Sequence, residues 1–95
     1  MYNIYVKYTC KDGKREAFVE SLNREGIVKA IRAEVGCVRY DYYFSEKDKN
    51  ELLLIEAWEK KEDQALHMTQ PHMKELQKIS ALCIDDVKFG EFELL

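Results

Sequence analysis

The chain has 95 residues, with 15 lysines and arginines against 18 aspartates and glutamates, and a formal net charge of −3. That length makes one domain with a small core, and interspersed charge without a basic stripe argues against a nucleic-acid partner. No apolar run is long enough to span a bilayer and no signal peptide opens the chain, so a cytoplasmic protein without a membrane partner is expected.

Residues 2–9 alternate, with Tyr2, Ile4, Val6 and Tyr8 on one face and Asn3, Tyr5, Lys7 and Thr9 on the other. β-Branched and aromatic residues dominate, which predicts a strand. Asp12-Gly13 marks a turn. From Lys14 the period becomes helical: Phe18, Leu22, Gly26 and Ala30 form a stripe flanked by Ile27 and Ile31. A kink is expected between Asn23 and Gly26, and Gly36 reads as the stop.

Residues 37–45 predict a second strand, with Val38, Tyr40, Tyr42 and Phe44 on one face and Cys37, Arg39, Asp41 and Tyr43 on the other. After a polar turn at 46–50, residues 51–59 predict a third. Leu52, Leu54, Glu56 and Trp58 face one way, Leu53, Ile55 and Ala57 the other, so both faces are largely apolar, as in a strand covered on both sides. A short helix is expected over 61–68. Pro71 ends that run and suits the first turn of another helix, to about Leu82, with Met73 and Leu76 inward. Residues 84–94 form a final, loosely patterned strand.

The order β-α-β-β-α-β predicts an α+β, ferredoxin-like domain over residues 1–95: a four-stranded antiparallel sheet with helices on one face. The other face carries more apolar residues than a monomer usually leaves wet, so a homodimer is expected. Cys10, Cys37 and Cys83 are odd in number and lack a CxxC pair, which reads as reduced buried thiols.

Glu56, Trp58, His67 and His72 form the one cluster of residue types suited to chemistry. A carboxylate on a buried strand must be paired or protonated, and Arg39 is the partner to test for Glu56. Trp58 is either a core aromatic or a pocket wall whose indole N–H needs an acceptor. His67 and His72, five apart across Pro71, do not have a metal spacing on one helix face, and no carboxylate or cysteine completes a recognisable ligand set. The N-terminal end of a helix at His72 favours neutral imidazole, and the C-terminal end at His67 favours imidazolium. Such a pair suits acid–base work, with His72 as base and His67 as donor; a structural role at the helix break is the alternative.

Three runs in order, Gly36-Cys37-Val38-Arg39-Tyr40, Ile55-Glu56-Ala57-Trp58 and His67 through Pro71-His72, resemble the antibiotic-biosynthesis-monooxygenase domains, with a GC-hydrophobic-x-Tyr strand, an E-x-W strand end and H-x-x-x-P-H. The resemblance covers nearly the whole chain. It implies a dimeric α/β barrel with a pocket between sheet and helices in each subunit. It also implies one of two activities: a cofactor-free monooxygenase acting on hydroquinone-like or polyphenolic substrates with O₂, or an isomerase of a phosphorylated sugar-like signalling molecule. The haem-degrading branch has a histidine about one turn past His72, where this chain has Leu76 and Gln77, so no haem is expected, nor any flavin or metal. In either activity His72 would be the base, His67 the donor or shuttle, Trp58, Tyr40 and Tyr42 the walls, and Asn23 a further donor. A small-ligand-binding dimer without turnover is the third reading.

Overall fold

The computed structural model describes all 95 residues, Met1 to Leu95. The elements are β1 (Tyr2–Cys10), α1 (Arg15–Arg24), α2 (Ile27–Arg32), β2 (Cys37–Phe44), β3 (Glu51–Trp58), α3 (Lys61–His67), α4 (His72–Cys83) and β4 (Ile84–Phe92). The four strands form one open antiparallel sheet in the order β2-β3-β1-β4. This is the ferredoxin-like α+β arrangement, with each of its two helical segments divided in two.

The first division falls at Gly26. Its φ of +72° lies in the left-handed region, which a β-carbon disfavours. The expected single helix therefore becomes α1 and α2. Phe18 and Leu22 stay on the inward stripe, but Gly26 and Ala30 do not continue it: the restart turns Ile27, Val28 and Ile31 into the core. The second division falls at Pro71, whose φ of −57° and ψ of −38° begin α4. Pro71 has no N–H to offer the preceding turn, so α3 stops at His67.

On the sheet, Ile4, Tyr8, Leu52, Leu54, Glu56 and Trp58 face the helices and are buried. Lys7 faces the other way, as do Tyr5, Leu53 and Ile55, which pair across β1 and β3. The expected facing of β2 fails at its start. A bulge between Cys37 and Arg39 sets Cys37 opposite Trp58 and Tyr40 opposite Glu56, so Cys37 shares the inner face with Tyr40 while Val38 points outward. A bulge adds one residue and reverses the alternation beyond it, which no period-two pattern anticipates. β4 pairs only with β1. Its inner residues Val87 and Phe89 stay exposed, Phe89 at 76 %.

The core joins Phe18, Leu22, Ile27, Val28 and Ile31 to Met73, Leu76 and Cys83 over the aromatic sheet residues Tyr8, Tyr40 and Trp58. Burying each large side chain is worth roughly 1.5–3 kcal/mol. Arg15 closes the hairpin from the helical layer. Its Nη1 donates to the carbonyls of Ser45, Asp48 and Glu51, and its guanidinium lies 4.6 Å from the Phe44 ring centroid. No helix is long and apolar enough to cross a membrane.

Candidate functional site

The site lies where α3 breaks off above the sheet, and a turn from elsewhere in the chain completes it. Glu34 sits between α2 and β2. That turn is tied down by Glu34 N–H to the Ile31 carbonyl at 3.0 Å, and by Glu59 N–H to the Gly36 carbonyl at 2.8 Å. Asp63 of α3 packs directly against Gly36, where a β-carbon would collide with its side chain. The contact brings the first turn of α3 onto the Glu34 turn, and the end of α3 carries His67.

His67 is 1 % exposed and Glu34 is 10 % exposed at their side chains. His67 Nδ1 lies 3.1 and 3.0 Å from the two Glu34 carboxylate oxygens. His72 Nε2 lies 2.7 Å from Glu34 Oε2. A carboxylate only accepts, so each imidazole presents an N–H to it. The neutral His67 ring then has its one proton on Nδ1 and a lone pair on Nε2. Nε2 makes no hydrogen bond to the protein, and His67 lines a cavity.

That cavity is about 310 Å³ and lies between β1, β4 and the helices α3 and α4. Ile4, Val6, Met73, Leu76, Val87 and Phe89 make it mainly apolar, with Tyr8, Tyr40, Glu56, Gln64, Gln77 and Ser80 supplying polar atoms. Glu56 Oε1 accepts the Trp58 indole N–H at 3.0 Å. Burial raises the Glu56 carboxyl above its usual 4.5, and the negative charge of Glu34 adds to this; the Trp58 hydrogen bond and His67 work against it. Arg39 is not its partner: it lies on the outward face opposite Ala57 and bonds Asp41 and Tyr43.

The other sequence candidates fall into four groups. Tyr40 lines the cavity, its ring 5.8 Å from that of His67. Trp58 and Tyr42 stand behind the wall. Trp58 is fully enclosed, with its ring centroid 4.8 Å from that of His67, and Tyr42 packs on Phe18 and Tyr8. Burial holds Tyr8, Tyr40 and Tyr42 well above the usual 10, so they remain phenols. Asn23 is exposed on α1 and lines no cavity, because its side of the helix faces water. His72, 23 % exposed at its side chain, opens not on the apolar cavity but on a separate groove of about 320 Å³, shared with Glu34, Asp63 and Gln70.

Glu34 is the residue that sequence reasoning misses. Its only signal is its place beside Gly36, 33 residues before His67. It also corrects the expectation that no carboxylate completes a ligand set: Glu34, His67 and His72 each present one ligating atom, all within 4.8 Å of one another, a set that could hold a cation.

Comparison with known proteins bears on this geometry. The family profile described as Antibiotic biosynthesis monooxygenase matches residues 1–79. A Nitrosomonas europaea protein named for the same family superposes with a TM-score of 0.86 at 26 % identity, covering 100 % of this chain and 99 % of that one. A Pseudomonas aeruginosa protein does so with a TM-score of 0.84 at 23 % identity, covering 99 % and 93 %. A Mycobacterium tuberculosis protein gives 0.81 at 22 % identity, covering 99 % and 94 %. No curated protein matches the sequence.

Proposed function

Because the chain belongs to the antibiotic biosynthesis monooxygenase family, we propose that it is a cofactor-independent monooxygenase of a small hydroquinone-like phenol, with His67 as the base. The observation that carries this reading is the Glu34–His67 pair at the edge of an apolar cavity. The base needs a lone pair aimed at substrate and a partner that steadies the imidazolium it becomes; Glu34 supplies both by holding Nδ1–H. His72, the base expected from the helix dipole, bonds the same carboxylate from outside the cavity and serves as the second orienting donor to Glu34.

In this reaction His67 Nε2 takes the phenolic proton. The phenolate is electron-rich and reduces O₂ itself. One oxygen atom replaces a ring C–H hydrogen as C–OH, and the other leaves as water. Of the four electrons O₂ accepts, two come from that C–H bond and two from oxidation of the quinol to the quinone. The proton held on His67 goes to the reduced oxygen. Glu56, shifted toward its acid form, supports the oxyanion side of the cavity. About 310 Å³ is near the lower end of small-molecule pockets, roughly 300–1,000 Å³, which suits a substrate of one or two rings.

No lysine or arginine lines the cavity, so a phosphorylated sugar would meet no cation there. This favours the oxygenase over the isomerase reading. The test is O₂ uptake by chelator-treated protein with a panel of hydroquinones and naphthols. His67→Gln should lower kcat/KM by about 10² to 10⁴, the usual scale for a positioned base. If a phenol binds without O₂ uptake, the protein is a ligand carrier. If His72→Gln costs the full amount while His67→Gln costs little, the base is His72.

A further inference from the structure

The groups around Glu34 have a second use. Ligands bound to one Zn²⁺ at about 2.0–2.1 Å and tetrahedral angles lie about 3.4 Å apart. Glu34 Oε2 is 3.0 Å from His67 Nδ1 and 2.7 Å from His72 Nε2, both shorter than that spacing, and the three ligating atoms all lie within 4.8 Å of one another, so small side-chain shifts that move the imidazoles away from the carboxylate bring them to the spacing of the ion. Two imidazoles and a carboxylate are a borderline donor set that selects zinc and its neighbours over magnesium or calcium, which prefer oxygen. The groove on the His72 side leaves room for water as a fourth ligand, and Asp63 and Gln70 on its wall can hydrogen-bond that water.

We propose that Glu34, His67 and His72 form a reversible site for a divalent transition-metal ion, best matched to Zn²⁺, which silences the cavity when filled. The silencing follows from the tautomer. Zn²⁺ on Nδ1 takes the lone pair there, so the neutral His67 ring must hold its proton on Nε2. Nε2, proposed above as the acceptor of the substrate proton, becomes a donor and takes no proton from a substrate. Without the metal, the same three groups satisfy one another by hydrogen bonds, which the ion must displace. Binding is therefore a competition and not a condition of folding. The silencing rests on His67 as base; the binding does not.

The experiment is titration of the metal-free chain with Zn²⁺ alone, read by calorimetry and by competition with a coloured chelator, with Mg²⁺ in parallel. One Zn²⁺ per chain and no Mg²⁺ is expected. His72→Gln and Glu34→Gln should each weaken Zn²⁺ by more than about 100-fold, since even groups behind a ligand are worth about 10- to 100-fold. Circular dichroism checks that both variants are folded. Crystals of the unmodified chain soaked in Zn²⁺ should show one anomalous peak among the three side chains, a result that needs no variant. Absence of binding, a peak elsewhere, or binding that survives both substitutions, as it would at Cys10 and Cys83, overturns the proposal. Zn²⁺ should also stop O₂ uptake in proportion to occupancy. If Zn²⁺ binds at the three residues but turnover continues, the site stands and the silencing fails. If no phenol is turned over at all, the binding result is unaffected and only the oxygenase reading falls.

Discussion

Two carboxylates near one buried histidine do different work. Glu34 is held by two imidazole donors, while Glu56 has one indole donor, with burial raising its pKa. The difference is measurable. A carboxyl whose folded pKa lies above its unfolded value binds more protons folded than unfolded between those two values. Stability therefore falls as pH rises from about the usual 4.5 through the raised value, and stays lower above it. Glu56→Gln keeps an acceptor for Trp58 and removes the titration. Its stability, from denaturant melts across the acid-to-neutral range, should decline less over that window than that of the unmodified chain. Equal slopes would place the Glu56 titration at its ordinary value. The pattern of β3 exposes the oddity of Glu56, because a carboxylate alternates there with Leu52, Leu54 and Trp58. Nothing local marks Glu34, which matters only through a fold that closes 33 residues of chain.

Helices α1 to α4 are set by where each breaks. Gly26 and Gly36 both have positive φ, near +72° and +77°, but their surroundings differ. A β-carbon at Gly26 meets open space; at Gly36 it meets the Asp63 side chain. Gly26→Ala should thus cost about 1–2 kcal/mol, the left-handed penalty alone. Gly36→Ala should cost more and also disturb the Glu34 turn, so its effect should appear in ligand or Zn²⁺ binding as well as in thermal melts. Equal losses in both variants, with binding intact, would detach Asp63 from the positioning of Glu34. Element types and order were legible because apolar periods of two and 3.6 survive tertiary packing. The phase of those periods was not legible after Gly26, nor across the bulge at Cys37, since one left-handed residue or one extra residue rotates everything that follows.

Across the whole molecule, the helices cover one face of the sheet. The other carries Tyr5, Leu53, Ile55, Tyr43 and Phe92 around Lys7 and Asp41. An uncovered face that mixes these apolar side chains with charges of both signs suits a second copy of the chain, and we expect a homodimer through this face. Ile55 sits between Tyr5 and Asp41 near its middle. Ile55→Lys should shift sedimentation from dimer toward monomer at micromolar concentration while leaving the circular dichroism spectrum unchanged; a wild-type monomer would dispose of the dimer. The double apolar pattern of β3 makes this face visible from sequence. The cavity was less visible, because its outer wall is the loosely patterned β4, whose Val87 and Phe89 read as ordinary strand residues. Only the strand order places them beside Tyr8 and Val6.

The stacking of Trp58 on His67 has an optical consequence. Trp58 is the chain's only tryptophan, enclosed from water, with its indole plane 35° from the imidazole. A charge or metal arriving on that imidazole acts on the indole face at contact range, where a cation couples to the ring electrons. The protein's single tryptophan is thus pressed against the ring proposed to do the chemistry. Its emission reports phenol, proton or zinc at His67 with no label attached, and all three can be followed in one cuvette before a product is identified.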